Sequence, residues 1–231
     1  MTSETSNIGI LGAGRVGTAL ARLFLNNGIA VSIAGRVAPA ELQFMLDFVA
    51  PGARGTSAAD LMRDNNIIVL AIPSARVLEL DPVPLAGKVV VDATNYWAPT
   101  EGRILAYEAG QSTSEVLQAR LATSRLVKTF NHIGYHEMDE NSLPAGSSDR
   151  QALAIAGDDA EARALVASIV DAIGFDPVDA GSLSAGRALQ PGGPLFGHRL
   201  NRVQMDARLQ AIPGAGEAGR QHVSEVISRQ H

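Results

Sequence analysis

A chain of 231 residues with 46% hydrophobic and 19% charged side chains has the composition of a globular protein large enough to bury a core without staples. Its net charge of −5, with no basic run, argues against nucleic acid and anionic membranes as partners. The lack of cysteine removes disulfides, thiolate catalysis and iron–sulfur ligation together and suits a reducing, cytoplasmic compartment. The polar opening MTSETSN predicts no secretory leader, and no apolar run approaches the roughly 20 residues of a membrane span.

In chain order, residues 8–11 read as a buried strand, followed by the string Gly12-Ala13-Gly14-Arg15-Val16-Gly17, an amphipathic helix and a second strand over 30–34. A helix follows over 39–49, with Leu42, Met45, Leu46 and Val49 on one face, and then a short helix over 60–63. Pro73 stops a strand over 67–72, and residues 81–84 read as a loop. The next strand, 88–91, runs into Asp92-Ala93-Thr94-Asn95. A helix over 115–121 precedes a strand over 125–130 that ends at Asn131. A strand over 151–156, a helix over 158–173 and a short strand over 175–178 complete the alternation. Beyond Ala180 the chain is rich in glycine and proline before a helical stretch at 199–210. The tail from Ile212 reads either as unstructured or as a partner-contacting helix.

This alternation predicts an α/β fold, a Rossmann-type doubly wound and mainly parallel sheet with helices on both faces. Ligands of such sheets lie along the carboxyl ends of the strands. Those ends are the glycine loop, Gly35-Arg36, Ala71-Ile72-Pro73, Ala93-Thr94-Asn95 and Phe130-Asn131-His132.

The glycine string has the chemistry of a dinucleotide cradle. Gly12 permits the tight turn, Gly14 lets backbone approach a pyrophosphate, and Gly17 lets the helix pack on the sheet. The helix presents unpaired N–H groups and a partial positive charge to the phosphates. Cofactor choice turns on the end of the second strand, where NAD-binding chains place an acid for the ribose 2′-hydroxyl. Here stand Gly35 and Arg36: the glycine makes room and the guanidinium pairs with a 2′-phosphate, which favours NADP(H).

Other candidates carry weaker signals. His132 and His136, with Glu137 and Asp139 nearby, have metal-ligand spacing only on a helix, and Gly134 between them predicts a loop, so no metal is expected. His132 reads as an active-site hydrogen-bonding group or a loop histidine. Mid-strand alternation favours an outward, solvated Lys128 over a base or anion anchor. Asp92 reads as a strand-end loop anchor. Tyr96 and Trp97 read either as a pocket wall or as packing, and Asp158-Asp159 as a helix N-terminus. Tyr96, Tyr107 and Tyr135 lack a lysine four residues on, which argues against the short-chain alcohol dehydrogenase arrangement.

Beyond the glycine loop, LAIPSA (70–75), VVVDATN (89–95), LVKTFN (126–131), AIAGDDAEAR (154–163) and GFDPVDAGSLSAGRALQPGGPLFG (174–197) occur together. In this order they resemble the coenzyme F420-dependent NADP reductase family, whose relatives include the reductase domain of mammalian ferric reductases. The resemblance implies a Rossmann domain over 1–180 with a small C-terminal lobe and tail over 181–231, usually assembled as a homodimer. It implies hydride transfer between NADP(H) and a small-molecule acceptor, the deazaflavin coenzyme F420 or a related flavin. By motif, Gly12, Ala13, Gly14, Arg15, Val16 and Gly17 hold the pyrophosphate and Gly35 with Arg36 the 2′-phosphate. Ala71, Ile72 and Pro73 flank the ribose, Ala93, Thr94 and Asn95 approach the nicotinamide, and Phe130, Asn131, His132 and Ile133 face the second ring. The stretch from Asn131 to Met138 departs from the family pattern. A reductase of free flavin or of a small carbonyl or imine, and a non-catalytic NADP-binding redox sensor, therefore remain alternatives.

Overall fold

The computed structural model describes residues 7–108 and 110–212. The strands are β1 (Ile8–Leu11), β2 (Val31–Ala34), β3 (Arg54–Thr56), β4 (Ile67–Leu70), β5 (Val89–Asp92), β6 (Arg125–Lys128), β7 (Ala152–Gly157) and β8 (Asp176–Gly181). Between them lie α1 (Arg15–Asn26), α2 (Pro39–Val49), α3 (Ala58–Asp64), α4 (Ser74–Val77), α5 (Ala98–Glu101), α6 (Thr113–Arg120) and α7 (Ala160–Ala172), with α8 (Arg202–Gln210) last.

The strands form one eight-stranded sheet in the order β3-β2-β1-β4-β5-β6-β7-β8. Pairing is parallel from β3 through β6, antiparallel between β6 and β7, and parallel again between β7 and β8. The sheet is thus the predicted doubly wound α/β type, extended at one edge by two reversed strands. Alternate strand residues feed two cores. Ile8, Ile10, Ile67, Val69, Val89, Val91 and Val127 pack with Leu20, Phe24 and Val166 on one face. Ile68, Leu70, Val90 and Leu126 pack with Leu61, Leu117 and Leu121 on the other. Because both faces are covered, the central strands read as continuous apolar runs.

Helix starts follow local capping chemistry. Ser112 and Glu115 make a reciprocal capping box that starts α6 at Thr113, earlier than the hydrophobic pattern alone suggests. Asp159 caps α7, accepting from the Ala162 N–H at 2.9 Å. Four pieces escaped the pattern. β3 is a three-residue edge strand holding a glycine, the segment read as a loop contains the 3-10 turn Val83–Leu85, and α4 and α5 are single turns. The Gly/Pro-rich segment after β8 folds as a 3-10 helix over Leu183–Leu189. With α8 it packs Ala188, Leu189, Leu195, Met205 and Leu209 onto Ala152, Ala154 and Val178. Ile212 joins that cluster; the rest of the tail, 213–231, lies outside the described residues. Among the described residues no helix is long and apolar enough to cross a membrane.

Candidate functional site

The glycine loop leaves β1 in a conformation that separates its three glycines by purpose. Gly12 has φ +125°, and a Cβ there would lie 2.3 Å from the Ala71 carbonyl oxygen. A Cβ on Gly17 would lie 1.8 Å from the Gly12 carbonyl oxygen. Both positions need glycine for the chain's own packing. A Cβ on Gly14 would meet nothing within 4 Å. Gly14 is the N-cap of α1, which has no side-chain cap bond and no acid in its first turn. Four backbone N–H groups at such an end have no partner within the helix. Open space, free donors and no competing carboxylate are what a pyrophosphate requires, so these residues fit a dinucleotide.

Two cavities meet beside this loop. The first, about 750 Å³, lies between the glycine loop, Gly35-Arg36 beyond β2 and Ala71-Ile72-Pro73 beyond β4. Leu11, Leu42 and Leu80 give it an aliphatic lining, to which Arg76 and Glu79 add charge. Arg36 is exposed and makes no ion pair among the described residues. Gly35 is not merely spare room: a Cβ there would come within 3.2 Å of the Ala13 Cβ.

The second cavity, about 720 Å³, shares Ala71-Ile72-Pro73 with the first and extends over the ends of β5 and β6. Its lining runs from Arg15 and Val16 through Ala93-Thr94-Asn95 to Phe130–Met138, with Trp97, Phe196 and Gly197 at the rim. Asn95 and Asn131 clasp each other across it. The Asn95 Nδ2 donates to the Asn131 carbonyl at 2.8 Å, and the Asn131 Nδ2 donates to the Asn95 Oδ1 at 3.0 Å and the Leu189 carbonyl at 2.6 Å. Phe130 takes the left-handed backbone conformation, φ 65°, and turns the chain out of β6 into this wall. A non-glycine residue there is strained, and buried packing edge-on against Phe24, 6.0 Å between ring centres, holds it. Trp97 is 47% exposed and meets Phe196 edge-to-face at 5.8 Å. Tyr96 turns away, its hydroxyl donating to the Gly102 carbonyl and accepting from the Ile104 N–H. Of that aromatic pair only Trp97 is a wall residue.

Beneath this wall lies the largest departure from the sequence reading. Lys128 is fully buried rather than outward and solvated. It stands opposite Asp92 in the β5–β6 register, and its Nζ lies 3.1 Å from the Asp92 Oδ2. The ammonium also donates to the Thr94 carbonyl. Asp92 in turn accepts from the Thr94 N–H and hydroxyl and from the Ser114 hydroxyl on α6. Burial raises the Asp92 carboxyl, but the ammonium and these bonds outweigh it and hold it below the usual carboxylate range. Burial lowers the Lys128 ammonium, with Asp92 opposing. Alternation misleads here because the sheet face it assigns to solvent is covered by α6 and by Gly186 of the 3-10 segment, whose missing side chain leaves room for the lysine stem. Asp92 is the strand-end anchor the sequence suggests, and it fixes the Ala93-Thr94-Asn95 backbone.

His132 is also interior, 2% exposed, with its Nε2 accepting from the Ala154 N–H at 3.1 Å. Burial, with Lys128 adding to it, pushes its pKa down to about 3, so the ring is neutral and the proton sits on Nδ1. His136 is exposed and faces Tyr135. Among the described residues no group of three or more His, Asp or Glu is placed to hold a metal ion.

The groove therefore gathers every strand end singled out in the sequence: residues 12–14 and 35–36 in the first cavity, 15–16, 93–95 and 131–132 in the second, and 71–73 in both. Gly17 sits behind the loop as packing. Sequence reasoning missed Arg76, Glu79 and Phe196. No periodicity marks them, and Phe196 arrives from a segment remote in the chain.

Residues 7–96 match the profile of the family described as NADP oxidoreductase, coenzyme F420-dependent. The chain is 31% identical over 191 residues to the metalloreductase STEAP3 of Rattus norvegicus, covering 81% of this chain and 36% of that protein. It thus spans about a third of that relative's length. A hypothetical protein of Sinorhizobium meliloti has a solved structure that superposes with a TM-score of 0.74 at 26% identity, over 85% of this chain and 96% of its own. A protein of Arthrobacter sp. FB24, provisionally named an F420-dependent NADP reductase, superposes with a TM-score of 0.66 at 27% identity, over 78% and 86%. Residues 7–96 thus carry the pattern of the coenzyme F420-dependent NADP oxidoreductases, and the likeness in fold to these solved structures extends over 78–85% of the chain.

Proposed function

We propose that this chain is an NADP(H)-dependent oxidoreductase that passes a hydride between the nicotinamide and coenzyme F420 or a related flavin. The observation that carries the reading is the pair of cavities, about 750 and 720 Å³, joined at Ala71-Ile72-Pro73. One has the glycine loop and Arg36 for a phosphorylated adenosine. The other has room and an aromatic rim for two flat rings.

The nicotinamide, when bound, supplies the hydride. The chain's own groups hold, orient and exclude. The α1 N-terminus and Gly14 receive the pyrophosphate, and Arg36 receives the 2′-phosphate. The Asn95–Asn131 clasp holds the wall of the second cavity rigid, backed by the Asp92–Lys128 pair. Rigidity matters because hydride transfer needs reacting carbons about 3–3.5 Å apart. Trp97 and Phe196 shield the open side from water. His132 is held neutral, so it lends the wall a fixed dipole and no charge. The accompanying proton comes from solvent.

Rapid mixing of the NADPH-loaded chain with coenzyme F420, flavin mononucleotide and simple ketones or imines tests this reading. Bleaching of the reduced-nicotinamide band is expected with the deazaflavin or the flavin. Bleaching with ketones or imines alone moves the activity to another acceptor class. Tight NADPH binding with no bleaching makes the chain a binding protein and overturns the reading.

A further inference from the structure

The first cavity holds an ion pair that neither the glycine loop nor Arg36 accounts for. Arg76, in α4, lines the same cavity as Arg36, with its Nη1 2.6 Å from the Glu79 Oε2. Both side chains are well exposed, at 67% and 61%. An exposed pair of this kind contributes no more than about 1 kcal/mol, so it does not earn its place as a staple. Only the Nη1 is engaged by Glu79, which leaves the other guanidinium N–H groups free to bind an anion.

Arg36 follows β2 and Arg76 follows β4, the two strands that flank β1. Neighbouring strands lie about 4.8 Å apart, so the ends of β2 and β4 lie about 10 Å apart, one on each side of β1. Glu79 is the one carboxylate among the described residues that line this cavity. A phosphate monoester carries nearly two negative charges, more than Arg36 alone neutralises.

We propose that Arg76 is the second guanidinium of a clamp for the adenosine 2′-phosphate and that Glu79 tempers its strength. The proposal rests on the reading of this cavity as the NADP site. In it, Arg36 and Arg76 approach the phosphate from opposite sides while Glu79 steadies Arg76 through Nη1 and offsets part of its charge.

The test is calorimetric titration of the full chain with 2′,5′-ADP and with 5′-AMP at about pH 8, where the phosphate is dianionic. The variants are Arg76→Gln, Glu79→Gln and Arg36→Gln, all at exposed positions. Arg76→Gln should weaken 2′,5′-ADP about threefold to tenfold and leave 5′-AMP within about twofold. Glu79→Gln should tighten 2′,5′-ADP about twofold by removing the opposing charge. Equal losses on both fragments would make Arg76 an adenine-stacking residue and overturn the clamp. No loss with Arg76→Gln, alongside a loss with Arg36→Gln, would also overturn it while leaving the NADP reading intact. If the unaltered chain binds neither fragment, the NADP reading and the clamp fail together.

Discussion

The first cavity is shaped by backbone, the second by side chains brought from distant parts of the chain, and the two differ in how they can fail. Around the first, glycines set the geometry, and the charged groups stand exposed at the edges. Around the second, a buried ion pair, an asparagine clasp and a strained phenylalanine are stacked behind the wall. The first should therefore tolerate loss of its exposed charged side chains with changes in affinity alone. The second should lose stability when its interior groups are cut.

Substitutions in the glycine loop and under β6 break that comparison most sharply. Gly17→Ala places a Cβ 1.8 Å from the Gly12 carbonyl oxygen, a clash with backbone that should cost about 3 kcal/mol or more and prevent recovery of folded protein. Gly14→Ala, with nothing within 4 Å, should leave the Tm within about 2 °C and weaken NADPH about tenfold. Lys128→Met leaves Asp92 buried without its counter-charge and should cost about 3–5 kcal/mol in denaturant unfolding. The double change Asp92→Asn, Lys128→Met should recover much of that loss, because no uncompensated charge remains.

The pH dependence sharpens the same contrast. His132 has a pKa of about 3 in the folded chain against 6.5 when exposed, so between these values the unfolded chain binds the extra proton. Stability then rises with pH across this window and falls on acidification from 6.5 toward 3, by up to about 1.4 kcal/mol per pH unit. Asp92 adds to the acid loss lower down, since its lowered carboxyl stabilises the fold above the ordinary value of 3.8 and is protonated only below it. Comparing unfolding between about pH 6 and 4 for the unaltered chain and His132→Gln isolates the histidine; identical slopes would refute its buried, neutral state.

Smaller effects belong to the exposed groups. Arg36→Ala should weaken NADPH about tenfold in equilibrium binding and leave NADH nearly unchanged. Trp97→Ala should raise the acceptor KM about threefold, with NADPH affinity unaltered. Trp97 is the single tryptophan, so its fluorescence reports directly on occupancy of the second cavity.

What the sequence made legible follows the same division. The glycine loop, Gly35-Arg36 and the strand ends were readable because their requirements are local: a turn, a missing Cβ, an apolar run that stops. Lys128 was not, because alternation presumes a face open to solvent, and the cover over it comes from α6 and from residues 183–189. A signal was available in Asp92 and Lys128, two opposite charges ending apolar runs on strands that a doubly wound sheet sets side by side. β3 was missed because a three-residue edge strand with a glycine offers no periodicity. Arg76, Glu79 and Phe196 belong to the site by position in space alone.

The central claim is direct transfer between two rings held across the junction of the cavities. NADPH carrying deuterium at the transferring C4 position, mixed with oxidised coenzyme F420 and the protein, tests it in one mass spectrum. Hydride transfer places deuterium at C5 of the reduced deazaflavin. Reduced deazaflavin without the label, or no reduction while NADPH is bound, would contradict it.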